Sequence, residues 1–177
     1  MLVYVQTLLN IALRKLGPED LPDSGFLVGL TLVGYVLMQV PLAWIAYGPS
    51  NAILSTIIVS ALLLVAFIWV LLRVAGFRQR YRQTLTALLG TSALLSLMSL
   101  PFSVWREATV DLQAASALPS IFIFAIMLWS LAIDGHILSR ALSRPFAIGL
   151  MLSISYFFVH TTILFELLPD TVTVPSD

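Results

Sequence analysis

The chain has 177 residues, 59% of them hydrophobic and 10% charged, with 9 basic and 9 acidic side chains, no cysteine and a mean hydropathy of +1.00. Soluble domains carry about 25% charged residues, so this composition excludes a soluble globular domain, and zero net charge gives no electrostatic basis for nucleic acid as a partner. Without cysteine there are no disulfides, thiolate metal sites or thiol redox chemistry.

Residues 1–16 are too few to span a bilayer. They set Leu2, Val5, Leu9, Leu13 and Leu16 at spacings of three and four, with Gln6, Asn10 and Arg14 as a polar stripe. That period predicts an amphipathic helix lying in the headgroup region. Arg14 and Lys15 follow the apolar run, the reverse of a signal peptide, so the segment is expected to be retained. Residues 17–25 read as a hinge: Gly17 stops the helix, Pro18 forbids its continuation, and Asp23 or Ser24 caps the next one. Glu19 and Asp20, held between two prolines, are surplus charges and candidate contacts for a partner.

Five apolar stretches follow at about 26–47, 52–72, 84–104, 117–137 and 145–168, each near the length that crosses a bilayer core, with a short tail at 169–177. The predicted fold class is all-α: an integral membrane bundle of five transmembrane helices preceded by an interfacial amphipathic helix. The loops are short, so consecutive spans are expected to pack as antiparallel neighbours.

Arg14, Lys15, Arg73, Arg78, Arg80, Arg82, Arg140 and Arg144 all fall on one side of this topology. Only Arg106 falls on the other, with Glu107, Asp111, Glu166, Asp170 and Asp177. The positive-inside rule therefore predicts an inner (cell) membrane protein with a cytoplasmic N-terminus and an external C-terminus. The loop "RVAGFRQRYRQ" carries much of that signal. Its Arg73, Arg78, Arg80 and Arg82 are candidate contacts for anionic lipid headgroups, each contributing about 1 kcal/mol near a charged surface.

Polar residues inside the spans are costly and are where chemistry would be sought. Gln39, one turn from Tyr35 and beside Pro41, either lines a cavity or ties two helices together. Ser92, Ser96, Ser99 and Ser103 form a stripe that allows close helix approach or lines a pore. Gly149, Ser153, Tyr156 and His160 share one face, where His160 is a helix-packing group or a proton-relay or ligand residue. Asp134 and His136, two apart, do not share a helical face, and two histidines on opposite sides supply neither a metal site nor paired haem ligands. Asp134 is expected to pair with Arg140 or with an arginine of the second loop. With no hydrolase motif, Walker loop, dinucleotide fingerprint or zincin motif, no catalytic residue, metal or cofactor is assigned.

Three stretches resemble the Yip1-like family of small five-span membrane proteins in its bacterial form. "GFRQRYRQTLTALLGTSALLSLMSLPF" resembles its basic loop and a span ending in a Leu-Pro step at Leu100 and Pro101. "LWSLAIDGHILSRALSRPFAIGLML" resembles its Trp-bearing fourth span, short basic turn and small-residue restart, and "RKLGPEDLP" its N-terminal entry. The resemblance implies a five-helix membrane protein without known catalytic residues, acting in eukaryotic relatives in membrane trafficking through protein partners. No small GTPase partner and no functional residue transfers. The expected function is a non-enzymatic membrane-organising factor or accessory subunit, in contact with lipid and with other membrane proteins or further copies of itself. The alternative is a small transporter or channel with a polar path near Gln39, Ser96 and His160, although five spans do not divide into two equal inverted repeats.

Overall fold

The computed structural model describes residues 2–47, 52–110 and 117–167, and among these there is no strand. The helices are α1 (Leu2–Ala12), α2 (Gly25–Tyr47), α3 (Ala52–Val74), α4 (Tyr81–Ala108), α5 (Ala117–Ala141) and α6 (Phe146–Leu167), with single 3-10 turns at Pro18–Asp20 and Arg78–Arg80. α2 to α6 are long and apolar enough to cross a membrane, and the protein is a multi-pass membrane protein of the all-α class. The tail 169–177 and Asp111, Asp170 and Asp177 lie outside the described residues.

In hydrocarbon each backbone N–H and C=O must be bonded inside the protein, and a separate apolar segment achieves this as a helix. Helix continues through Pro41 in α2 and Pro101 in α4. Hydroxyls obey the same constraint: Thr31, Thr91, Ser99, Ser103, Ser130 and Thr161 each donate to a carbonyl three or four residues back in their own helix.

Three helices terminate alike at the end of the bundle that gathers the arginines, here called the basic end. At α1 the Lys15 N–H reaches the Asn10 carbonyl (2.9 Å) and the Arg14 N–H that of Ile11 (2.8 Å). Phe77 and Gly76 do the same at α3, and Arg144 and Ser143 at α5. Each is a Schellman end with one left-handed residue: Arg14 at φ 57°, Gly76 at 82° and Ser143 at 51°. The first helix therefore stops at Ala12 through Arg14, short of the expected stop at Gly17. Apolar spacing continues past the helix end, which is why the period overshoots.

α4 is the centre of the bundle. α2 and α5 pack along it, α6 packs along α5, and α3 leans more lightly on α2, α4 and α6. The antiparallel pairs α4/α5 and α5/α6 follow chain order as expected. α2, however, packs most closely on α4, which runs in the same direction, and not on α3. The reason lies in Thr84–Thr91, all eight of which are buried. Eight consecutive residues cover every side of a helix, so these first turns of α4 are enclosed on all faces.

Part of that enclosure is α1, which buries Leu8, Ile11 and Ala12 against the bundle. Leu8 sits over Gly90, where a methyl group would lie 2.7 Å from its side chain. Val3, Val5, Leu9 and Leu13 point outward, so most of the face expected to be the apolar one is the outer face. α1 has apolar residues on two sides, and spacing alone does not say which side meets protein.

α5 and α6 meet at Gly135 and Gly149. A methyl on Gly135 would lie 2.8 Å from the Leu150 Cα, and one on Gly149 would meet the Gly135 carbonyl and lie 2.8 Å from the Ser139 Cβ. With Ser139 and Ser153 buried one turn on, both helices carry a small-xxx-small pair at the contact, which lets backbones approach. Gly149→Ala should therefore destabilise by about 1–3 kcal/mol through overpacking. Gly29→Ala, whose methyl would meet nothing within 4 Å, should leave stability unchanged or slightly raised. Thermal unfolding of both variants in one detergent checks the pair, and equal melting temperatures would contradict the contact.

Candidate functional site

The hinge is a built structure. Gly17, Pro18 and Leu21 are buried, and the Asp20 carboxylate accepts the Gly17 N–H at 2.8 Å, closing the turn. Gln83 of α4 donates its side-chain amide to the Leu21 carbonyl (2.7 Å). His136 of α5 bonds the Leu16 carbonyl through Nε2 (2.9 Å); a carbonyl only accepts, so Nε2 carries the proton. Arg140 pairs with Glu19, and Arg82 lies 3.7 Å from Asp23. Glu19 and Asp20, the candidate partner contacts, thus have roles within the chain while remaining exposed. Ser24 precedes α2, and its carbonyl accepts the Val28 N–H.

The four candidate lipid arginines divide. Arg80 donates from Nη1 to the carbonyls of Arg140 (3.1 Å) and Ala141 (3.0 Å) and to Ser143 Oγ (2.8 Å), capping the C-terminus of α5, where a cation also complements the helix dipole. Arg82 turns toward Asp23. Arg73 stacks on the Trp69 ring at 4.6 Å, and with Arg78 and Tyr81 it lines a cleft of about 210 Å³. Two cations, a phenol and an indole at the bundle's basic end fit an anionic headgroup, since paired guanidinium groups bind phosphate well.

Within the membrane-spanning region two polar clefts share Gln39. The first, about 250 Å³ between α2, α3 and α6, is lined by Tyr35, Gln39, Thr56, Ser60 and His160. His160 Nε2 and Ser60 Oγ are 3.0 Å apart, and the His160 ring lies 5.7 Å from that of Tyr156, whose ring in turn packs tilted against Phe67 at 4.8 Å. His160 therefore meets α3 through Ser60. Tyr35 and Gln39, four apart on α2, line this cleft from the same helical face.

The second cleft, about 270 Å³ between α2, α4 and α5, is lined by Gln39, Ser92, Ser96, Ser99, Ser130 and Asp134. Of the three expected path residues, Gln39 thus shares one cleft with His160 and another with Ser96. Asp134 does not pair with Arg140, which is engaged by Glu19. Among the described residues no cation forms a salt bridge with Asp134. Closeness to Arg140 along the chain is what suggests that pairing. The better signal was local: Ser130 and Asp134, like Tyr35 and Gln39, are four apart and share a helical face.

A closed basic end, a headgroup-sized arginine cleft and two intramembrane polar clefts define this chain as an α-helical multi-pass membrane protein. No protein-family model, curated protein or solved structure matches it.

The arginines separate experimentally. Arg80→Ala should cost about 1–3 kcal/mol by stripping donors from the end of α5. Arg78→Ala should change stability by no more than about 0.5 kcal/mol yet reduce retention of anionic phospholipid, read by mass spectrometry of the protein released from detergent. Equal lipid retention by wild type and an Arg73→Gln, Arg78→Gln double variant would remove the headgroup assignment.

Proposed function

We propose that the protein is a non-enzymatic membrane-organising factor or accessory subunit of the Yip1-like kind, set in the inner membrane with its basic end in the cytoplasm. The observation that carries this reading is α1. It is fixed to one end of the bundle only, and Val3, Leu9 and Leu13 face outward from it with exposures of 76%, 47% and 52%. A helix with an apolar outer face in one leaflet widens the protein there and favours a curved bilayer or a partner helix. The Arg73 and Arg78 cleft adds attraction to anionic lipid on the same side. The enclosed turns Thr84–Thr91 speak against a water path through that end.

In vesicles of mixed size the wild type should concentrate on the smaller ones, and Leu9→Ser with Leu13→Ser should weaken that preference while leaving the melting temperature near wild type. No size preference, together with no partner retained in mild detergent, would sink the proposal. A second reading, a small transporter, draws support from Gln39 lining both clefts. It requires that His160→Ala abolish proton-coupled flux in reconstituted vesicles with folding intact; absence of any flux in the wild type leaves the organising role in place.

A further inference from the structure

The second cleft holds a carboxyl, Asp134, that neither role uses. Asp134 lies seven residues inside the basic end of α5, about 10 Å along the helix, and the docked hinge covers that end through the His136 bond to Leu16. Among the described residues, the titratable groups near Asp134 on neighbouring helices are Tyr35 of α2 and Tyr156 of α6, ordinarily neutral phenols. α4 contributes only serine hydroxyls to the polar lining, and on α5 itself His136 and Arg140 are engaged by Leu16 and Glu19.

The hydroxyl nearest this carboxyl along α5 has a definite polarity. Ser130, one turn from Asp134, spends its proton on the Met127 carbonyl, so its oxygen has lone pairs left to offer the cleft. The Gln39 amide oxygen and the Asp134 carboxylate complete a set of oxygen acceptors. A lone carboxylate away from bulk water is costly unless a positive charge joins it. One such charge neutralises the site, whereas a divalent ion would leave an uncompensated positive charge in low dielectric. Oxygen ligands suit hard cations, and about 270 Å³ holds an ion with several waters, each occupying about 30 Å³.

We propose that this cleft binds a monovalent alkali cation, with Asp134 as its charged ligand, Ser130 and Gln39 as neutral oxygen ligands and water completing the shell. The site stands independently of whether the bundle organises a membrane or moves a solute.

The full chain in phosphatidylcholine nanodiscs is compared in sodium chloride, potassium chloride and N-methylglucamine chloride at equal ionic strength. A bound ion stabilises the folded state by mass action, so sodium or potassium at about 100 times its dissociation constant should raise the melting temperature by about 5–10 °C over the bulky organic cation. Asp134→Asn, close in shape and uncharged, should melt at one temperature in all three salts and lose retention of radioactive alkali ion. Ser130→Ala should still fold, because its hydroxyl bonds only within its own helix, and should need more ion for the same shift. Ser60→Ala, in the other cleft, should behave as wild type.

Equal melting of wild type in all three salts, or an alkali shift that survives Asp134→Asn, would overturn the proposal. So would a shift produced only by phosphatidylethanolamine, which would make the ligand an ammonium headgroup. Absence of both vesicle-size preference and a retained partner, with the alkali shift intact, would reject the organising role and leave the ion site standing.

Discussion

The structure depends on the enclosure of the first turns of α4. Eight consecutive buried residues, Thr84–Thr91, cannot be covered by lipid-spanning neighbours on two sides alone. α2 and α5 flank them, and α1 with the hinge covers what is left, Leu8 filling the space above Gly90. Once α1 occupies that position, the hinge must turn back across the basic end to start α2. The bonds from Gln83 and His136 to its carbonyls hold it there.

This explains how the chain uses its few charges. Arg140 holds Glu19, Arg82 approaches Asp23, and Arg80 caps α5. Exposed ion pairs of this kind contribute little stability individually, about 0–1 kcal/mol. Their importance is geometric, since each joins segments far apart in sequence at one end of the bundle. Large buried side chains such as Leu21, Ile68, Leu72, Leu89 and Ile137 gather at the same end. α3 packs more lightly, and polar clefts lie along the bundle on two sides of Gln39.

Close packing and polar clefts have a common origin in small residues. Between α5 and α6, Gly135 and Gly149 bring backbones together, with Ser139 and Ser153 buried beside them. Along α4, Ser92, Ser96 and Ser99 face α5 near Ser130 and Asp134 across an open cleft. The serine spacing alone was compatible with both outcomes. What separates them is the partner surface: a glycine opposite removes the gap, whereas Ile126 and Met127 beside Ser130 leave one.

The number of long helices and the all-α class were legible in the sequence because hydrocarbon imposes them: an apolar run of bilayer length has one way to satisfy its backbone. The same physics made the gathering of arginines at one end visible as a loop pattern. Which face of α1 meets protein, which helix α2 adopts as its neighbour, where Arg80 and Arg140 find partners and which cleft Asp134 lines were decided by tertiary structure. Those outcomes rest on contacts between residues such as Glu19 and Arg140, or Gln83 and Leu21, more than sixty positions apart. A helical period records the faces of one helix and carries no term for which distant face will cover them.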